Sequence, residues 1–253
     1  MSGLYLAELR KLRTVRSTWA ITVVGLLLVA LSSSTVAFGG FSAFTGSEAQ
    51  TAALLDGVGG ATVIPLIVAL LAITTEFRHG TIGRTLQLTP SRTEVVGVKL
   101  AAAGTYALVF AAVGTVLALL LGVLGGVRAG VGLTFSAAFG ETLWQAAVAL
   151  VLTALLGVAF GALVRSQALA LTVALVYIFV LENLVVFARP EVGRWLPFQA
   201  LNNLFVSQEM MEQGGGGMAM ADPLSPAVAL GTFVAWVVGF SALAVASMRY
   251  RDV

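Results

Sequence analysis

Long uncharged apolar runs alternate along this chain with short clusters of charge, and the runs predict its elements. Read by uncharged stretches, six spans fall at 19–38, 58–75, 100–124, 143–164, 168–187 and 227–248. A helix rises about 1.5 Å per residue, so roughly 20 apolar residues cover about 30 Å of hydrocarbon. The runs are apolar on every face, as suits helices surrounded by lipid and by other helices. They lack the alternation of barrel strands. The expected fold is an all-α polytopic membrane protein, one transmembrane domain over 1–253 with six spanning helices.

The segments between the spans carry their own patterns. In 1–18, Tyr5, Leu9 and Leu12 share one helical face while Arg10, Lys11 and Thr14 occupy the other, which predicts a short amphipathic helix lying along the membrane surface. The competing reading is a basic tail that only sets topology. A signal peptide is not expected, because the leading segment contains Glu8 and the apolar run exceeds the roughly 7–15 residues of such a leader. In the loop 76–91, Ser91 and Glu94 form a capping box behind Pro90, so the third helix should begin well before the membrane. From Ser91 to Leu124 it would run roughly 50 Å, longer than the hydrocarbon is thick. The loop 188–226 sets Pro190 and Pro197 among Trp195, Leu196, Phe198, Leu201, Leu204 and Phe205, a composition for short helices in or dipping into the interface. Gly214–Gly217 reads as a flexible tip. Pro65 should kink the second span, and Gly157-x-x-x-Gly161 and Gly122-x-x-x-Gly126 permit close helix packing.

Composition excludes a water-soluble alternative. Hydrophobic residues are 58% and charged residues 10% of the chain, against about 45–50% and 25% in soluble domains. The 14 basic residues also orient it. With the N-terminus inside, Arg10, Lys11, Arg13, Arg16, Arg78, Arg84, Arg92, Lys99, Arg165, Arg249 and Arg251 are cytoplasmic, and only Arg128, Arg189 and Arg194 lie outside. The positive-inside rule favours that arrangement, and six spans return the C-terminus to the cytoplasm. The preference for arginine over lysine in an Ala-, Gly-, Val- and Leu-rich chain leans toward a GC-rich bacterial genome, hence a bacterial cytoplasmic membrane. There is no cysteine, so neither a disulfide framework nor a thiolate metal site is available.

Candidate chemistry is sparse. Neither Lys11 nor Lys99 sits in a G-x-x-x-x-G-K-[ST] loop, so energy for any transport must come from another polypeptide or from an ion gradient. Glu182, beside Asn183, is the one acidic residue well inside an apolar run; it reads either as a substrate-facing or proton-linked group or as a side chain snorkelling to the outer interface. The lone histidine, His79, falls in the cytoplasmic loop and no span holds an acidic pair, which disfavours an intramembrane enzyme; no catalytic residue is expected. Met210, Met211, Met218 and Met220 surround the glycine tip, and thioethers suit cuprous copper. No histidine or cysteine accompanies them, methionine also serves as adaptable filler, and no metal site is expected.

The loop from Glu76-Phe77-Arg78-His79-Gly80-Thr81-Ile82 through Thr85, Leu86, Pro90 and Arg92 resembles the signature loop of type-2 ABC transporter permeases, often E-[YF]-R-x-G-T-[IL]. The start Glu8-Leu9-Arg10-Lys11-Leu12-Arg13, the following Trp19 and the finish Arg249-Tyr250-Arg251-Asp252-Val253 are similar to the family's as well. The resemblance implies a connecting helix at the N-terminus, a coupling helix in the loop and short outer helices between the fifth and sixth spans. It implies that Glu76, Phe77, Arg78, Gly80, Thr81, Ile82, Arg84 and Leu86 couple the chain to a separate P-loop ATPase subunit, which would bind ATP and Mg; this chain would hold no cofactor. Phe77, Ile82 and Leu86 offer apolar anchors, and Arg78 and Arg84 offer charge-assisted bonds. A second permease half, identical or homologous, would complete an exporter of a hydrophobic or amphipathic substrate such as a drug, lipid or natural product, with Glu182 and Asn183 on the candidate pathway. Membrane lipids are the other expected partner, and no nucleic acid is. The rival reading is a secondary carrier or channel working without an ATPase.

Overall fold

The computed structural model describes residues 2–39, 44–81, 92–205 and 224–250. These residues form helices and connecting turns, with no strand among them. In chain order the helices are α1 (Ser2–Thr14), α2 (Arg16–Ala37), α3 (Glu48–Ala53), α4 (Asp56–Gly60), α5 (Val63–Arg78), α6 (Arg92–Ala129), α7 (Ala137–Val164), α8 (Gln167–Ala188), α9 (Pro190–Gly193), α10 (Pro197–Leu204) and α11 (Pro226–Tyr250). Among the described residues, six helical runs are long and apolar enough to span a membrane, and each overlaps one of the six expected spans. Ile82, Arg84 and Leu86 of the motif loop, the glycine tip and the four loop methionines lie outside the described residues.

The second span departs from expectation at its start. Its apolar run begins at Glu48 rather than near 58 and arrives in three pieces, α3, α4 and α5. Asp56 marks the expected boundary because it interrupts the uncharged stretch, yet it opens α4 inside the run. The pieces break at Leu54–Leu55 and at Ala61–Thr62. Pro65 sits in the first turn of α5, where a missing N–H costs no intrahelical bond, so the break lies ahead of the proline rather than at it. The third span matches its expectation: 38 residues from Arg92 make α6 roughly 57 Å long.

This second span lies at the centre of the bundle, with 67% of its most apolar window buried against 17–56% for the others. α5 packs closest against α7, and small residues allow it. A Cβ on Gly157 would run into the Leu66 carbonyl oxygen, and one on Gly161 would come 2.6 Å from Ile73 Cγ2. One core cluster joins α2, α4 and α5 to α6 and α7 around Val29, Leu55, Ile73, Phe110 and Leu150. A second joins α5, α7, α8, α10 and α11 around Leu70, Phe198, Leu201 and Phe233. Apolar residues such as Leu27, Val116, Phe179 and Val238 remain exposed on the perimeter, the surface that hydrocarbon covers.

α8 is not a uniform helix. Tyr177–Leu181 form a π-helical turn between α-helical halves, an irregularity that helices keep mostly where function needs it. Beyond it, α9 and α10 each begin on a proline, Pro190 and Pro197, as the loop composition predicted. α10 buries Phe198, Ala200, Leu201 and Leu204 against the bundle rather than lying on its surface.

Candidate functional site

The described part of the motif loop, residues 76–81, lies at the end of the bundle where α1, the end of α5 and the start of α6 meet. α1 lies there on its apolar face: Leu4, Tyr5, Leu9 and Leu12 are half-buried, and the Tyr5 hydroxyl bonds Thr105 Oγ1 of α6 at 2.7 Å. Glu8 falls on that same face and is buried with them. Glu76, in the last turn of α5, and Lys99, in the second turn of α6, are buried as well.

These three residues and Lys11 close a ring of four ionic contacts. Lys11 Nζ donates to Glu8 Oε1 at 2.7 Å and to Glu76 Oε1 at 2.8 Å. Lys99 Nζ donates to Glu8 Oε2 at 3.0 Å and to Glu76 Oε1 at 2.7 Å. Two cations alternate with two carboxylates, so the ring is neutral, and partners 65 and 91 residues apart in the chain are brought together. Exposure of the Lys99, Glu8 and Glu76 side chains is only 4–7%, whereas Lys11 closes the ring from the water side at 48%. Charge this deeply buried persists only when paired.

The titration of the ring's α1 residues reflects that competition. Burial alone would raise the Glu8 carboxyl, but the Lys99 charge and the bonds from Lys11 and Lys99 outweigh it and hold the group below its ordinary value. Burial would likewise lower Lys11, but its bonds to Glu76 and Glu8 push the ammonium above its ordinary value. Both shifts favour the charged forms, and with them the closed ring.

The rest of the motif faces elsewhere. Phe77 is half-buried against the first core cluster, with the Arg165 guanidinium 5.4 Å over its ring. Arg165 holds a left-handed conformation (φ 60°) at the end of α7 and donates from Nη2 to the Ser247 carbonyl of α11 at 3.0 Å. Arg78 Nη1 donates to Gln167 Oε1 at the start of α8, at 3.2 Å. Gly80 adopts φ 65°, which turns the chain after α5, and Arg78, His79, Gly80 and Thr81 are exposed. Of the expected coupling residues, therefore, Glu76 and Phe77 point into the protein and Arg78, Gly80 and Thr81 point out of it.

Glu182 and Asn183 stand elsewhere. Glu182 is 1% exposed, and its Oε1 accepts the Gln199 backbone N–H at 2.7 Å. Gln199 is in the first turn of α10, whose N-cap residue is Leu196, a side chain that caps nothing. The carboxylate of α8 thus supplies the acceptor that the sequence of α10 lacks. The Glu182 carboxyl is therefore covered by protein. Asn183 is exposed and spends its amide on the Ile178 and Phe179 carbonyls of the π turn at 3.1 and 3.2 Å.

Sequence reasoning missed Glu8, Lys11, Lys99 and Arg165 as site residues. Glu8 enters there as an argument against a leader peptide and as part of the family-like start, and the cations as topogenic charge, with neither lysine in a phosphate-binding loop. The available signal is that Glu8 falls on the face of Tyr5, Leu9 and Leu12, since an acid on the apolar stripe of an amphipathic helix requires a buried cation.

Comparison with known proteins agrees with this architecture. No curated protein matches the chain. A family model described as ABC-2 family transporter protein matches residues 4–181. That stretch contains the whole ring and the described part of the motif loop, and it spans more than half of the 253 residues; the chain therefore belongs to the ABC-2 transporter family, as its multi-pass membrane component.

Proposed function

We propose that this chain is the permease subunit of an ATP-driven exporter, powered by separate P-loop ATPase subunits docked on the end that carries the motif loop. On this reading that end faces the cytoplasm, two permease halves form the pathway, and the cargo is hydrophobic or amphipathic. The supporting observation is the buried ring of Glu8, Lys11, Glu76 and Lys99. A docking surface must pass displacement to the spans instead of deforming on its own, and the ring makes α1, α5 and α6 one body directly behind the exposed residues His79, Gly80 and Thr81. Phe77 extends that body through Arg165 to α7 and α11. Arg78, His79 and Thr81 then provide the contact chemistry, with Glu76 and Phe77 as positioning residues behind them.

The test reverses the exposed chemistry and leaves the buried ring alone. Arg78→Glu with His79→Glu should leave membrane insertion and thermal stability near wild type. The same pair should remove co-purifying ATPase and ATP-dependent efflux. Loss of a central contact of about 2 kcal/mol weakens docking roughly thirtyfold. A full complement of ATPase with normal transport would reduce the loop to a topological connector.

A further inference from the structure

A partly open apolar cavity of about 200 Å³ lies against the second core cluster. Its walls come from four spans and one short helix: Leu66 of α5, Phe160 of α7, Ala174 and Tyr177 of α8, Phe198 of α10 and Phe240 of α11. Its origin is local. The π turn of α8 begins at Tyr177, which lines the space, and Ala174 and Gly157 present almost no side chain to it. Interiors are normally packed to leave few voids larger than a water molecule, so a void of this size forfeits dispersion contacts along its whole lining.

Water is a poor occupant. A buried water needs two to four polar partners, and this lining is almost wholly hydrocarbon and aromatic carbon. An apolar cavity of about 150 Å³ in another protein stays dry and takes up benzene, so the volume here suits a hydrocarbon segment. The surroundings supply one. Trp236 and Phe240 line this cavity and also an open groove on the outer face of α11, whose floor and rim include Gly239, Leu243 and Trp195. Leu243 is 58% exposed on the lipid-facing perimeter. The two rings, 5.9 Å apart, are the partition shared by groove and cavity. Trp236 is latched by its Nε1–H to the Trp195 carbonyl at 2.9 Å, and the Arg194 guanidinium stacks over Trp195 at 5.7 Å, which adds positive charge beside the groove.

We propose that this cavity is a binding site for one acyl chain of a bilayer phospholipid, which enters sideways from the groove past Trp236 and Phe240 while its phosphate stays near Arg194. The site depends only on placement in a membrane and is independent of the ATPase coupling proposed above. A chain held there fills the space between α8, α10 and α11, so it bears on the docking of α10 rather than on the motif loop at the other end.

The test is a photolabelling map. Purified protein is reconstituted in phosphatidylcholine vesicles containing a minor fraction of phosphatidylcholine with a mid-chain diazirine, irradiated, and read by peptide mass spectrometry. Adducts are expected on the interior positions Leu156, Phe160 and Ala174 as well as on exposed Leu243. Ala174→Phe, which fills the cavity, should reduce the interior adducts severalfold and spare Leu243; Trp236→Ala, which removes the partition, should raise them. Labelling of Leu243 without the interior positions in the wild-type protein overturns the proposal, and so does interior labelling that Ala174→Phe leaves unchanged. Because the wild-type map can overturn the idea without any variant, and Trp236→Ala gives a second reading, a failure of Ala174→Phe to assemble does not protect it.

Discussion

Lys99 has the most to lose from substitution, because it is nearly fully buried and serves both carboxylates of the ring. Removing one member of a buried ionic group leaves an uncompensated charge and costs about 3–5 kcal/mol, whereas removing opposite charges together is close to neutral. Lys99→Met should therefore lower the thermal stability of the detergent-solubilised protein sharply, and adding Glu8→Met should restore part of the loss. Additive losses in the double variant would show that the ring is not one electrostatic unit. The same melts run against pH carry a sign. Glu8 is held below its ordinary carboxyl value of 4.5, so its contribution is complete above that pH and is lost as pH falls through the depressed value. Lys11 is held above its ordinary 10.5, so its contribution is complete below that pH and is lost as pH rises through the raised value. Lys11 is half-exposed, and solvent screening makes its share the smaller. Stability should be flat between those limits and fall on the acid side first, with that acid limb weakened in Glu8→Gln. Of the ring only Glu76 was singled out from the chain alone, through the motif, because pairing across 65 and 91 residues leaves no local pattern. The amphipathic face that carries Glu8 was legible, from the spacing of Tyr5, Leu9 and Leu12.

Elements were far more readable than partners. The third helix is readable at its start because Ser91 and Glu94 announce a cap, and the short helices α9 and α10 because each opens on proline. The unexpected pieces α3 and α4 lie across Asp56, where a rule based on uncharged runs stops too early. The π turn has no marker in the sequence, since Tyr177–Leu181 is as apolar as the turns around it. Its neighbour Glu182 is the element-scale hinge of the short-helix assembly, because it caps α10 from another helix. Glu182→Gln retains a carbonyl oxygen for the Gln199 N–H, whereas Glu182→Leu removes the acceptor. Loss of a helix cap costs about 1 kcal/mol, with a range of about 0.5–2. Hydrogen exchange at the amides of 198–205 should accelerate severalfold in Glu182→Leu and much less in Glu182→Gln. Equal acceleration in both would mean that the charge, rather than the acceptor geometry, holds α10.

At the scale of the molecule, six spans and family membership were already visible in charge distribution and motif, whereas the central position of the second span was not, since every run is similarly apolar. Ser47 and Thr81 are both exposed, one ahead of α3 and the other just past α5, so the apolar run of the second span separates them. The excess of basic residues on the side of Thr81 predicts that side to be cytoplasmic. A cysteine at Ser47 should react with an impermeant maleimide in intact cells, and one at Thr81 only after permeabilisation; the reverse pattern would invert the protein. The ring also dictates an order of biogenesis. Glu8 and Lys11 emerge from the ribosome first, but their partners Glu76 and Lys99 follow only after two spans have been made. Until α6 is inserted, α1 has nothing to lock onto and must wait at the membrane surface with Glu8 solvated. Closure of the ring thus comes late: α1 can lock in place only once the second span and the start of the third have been made.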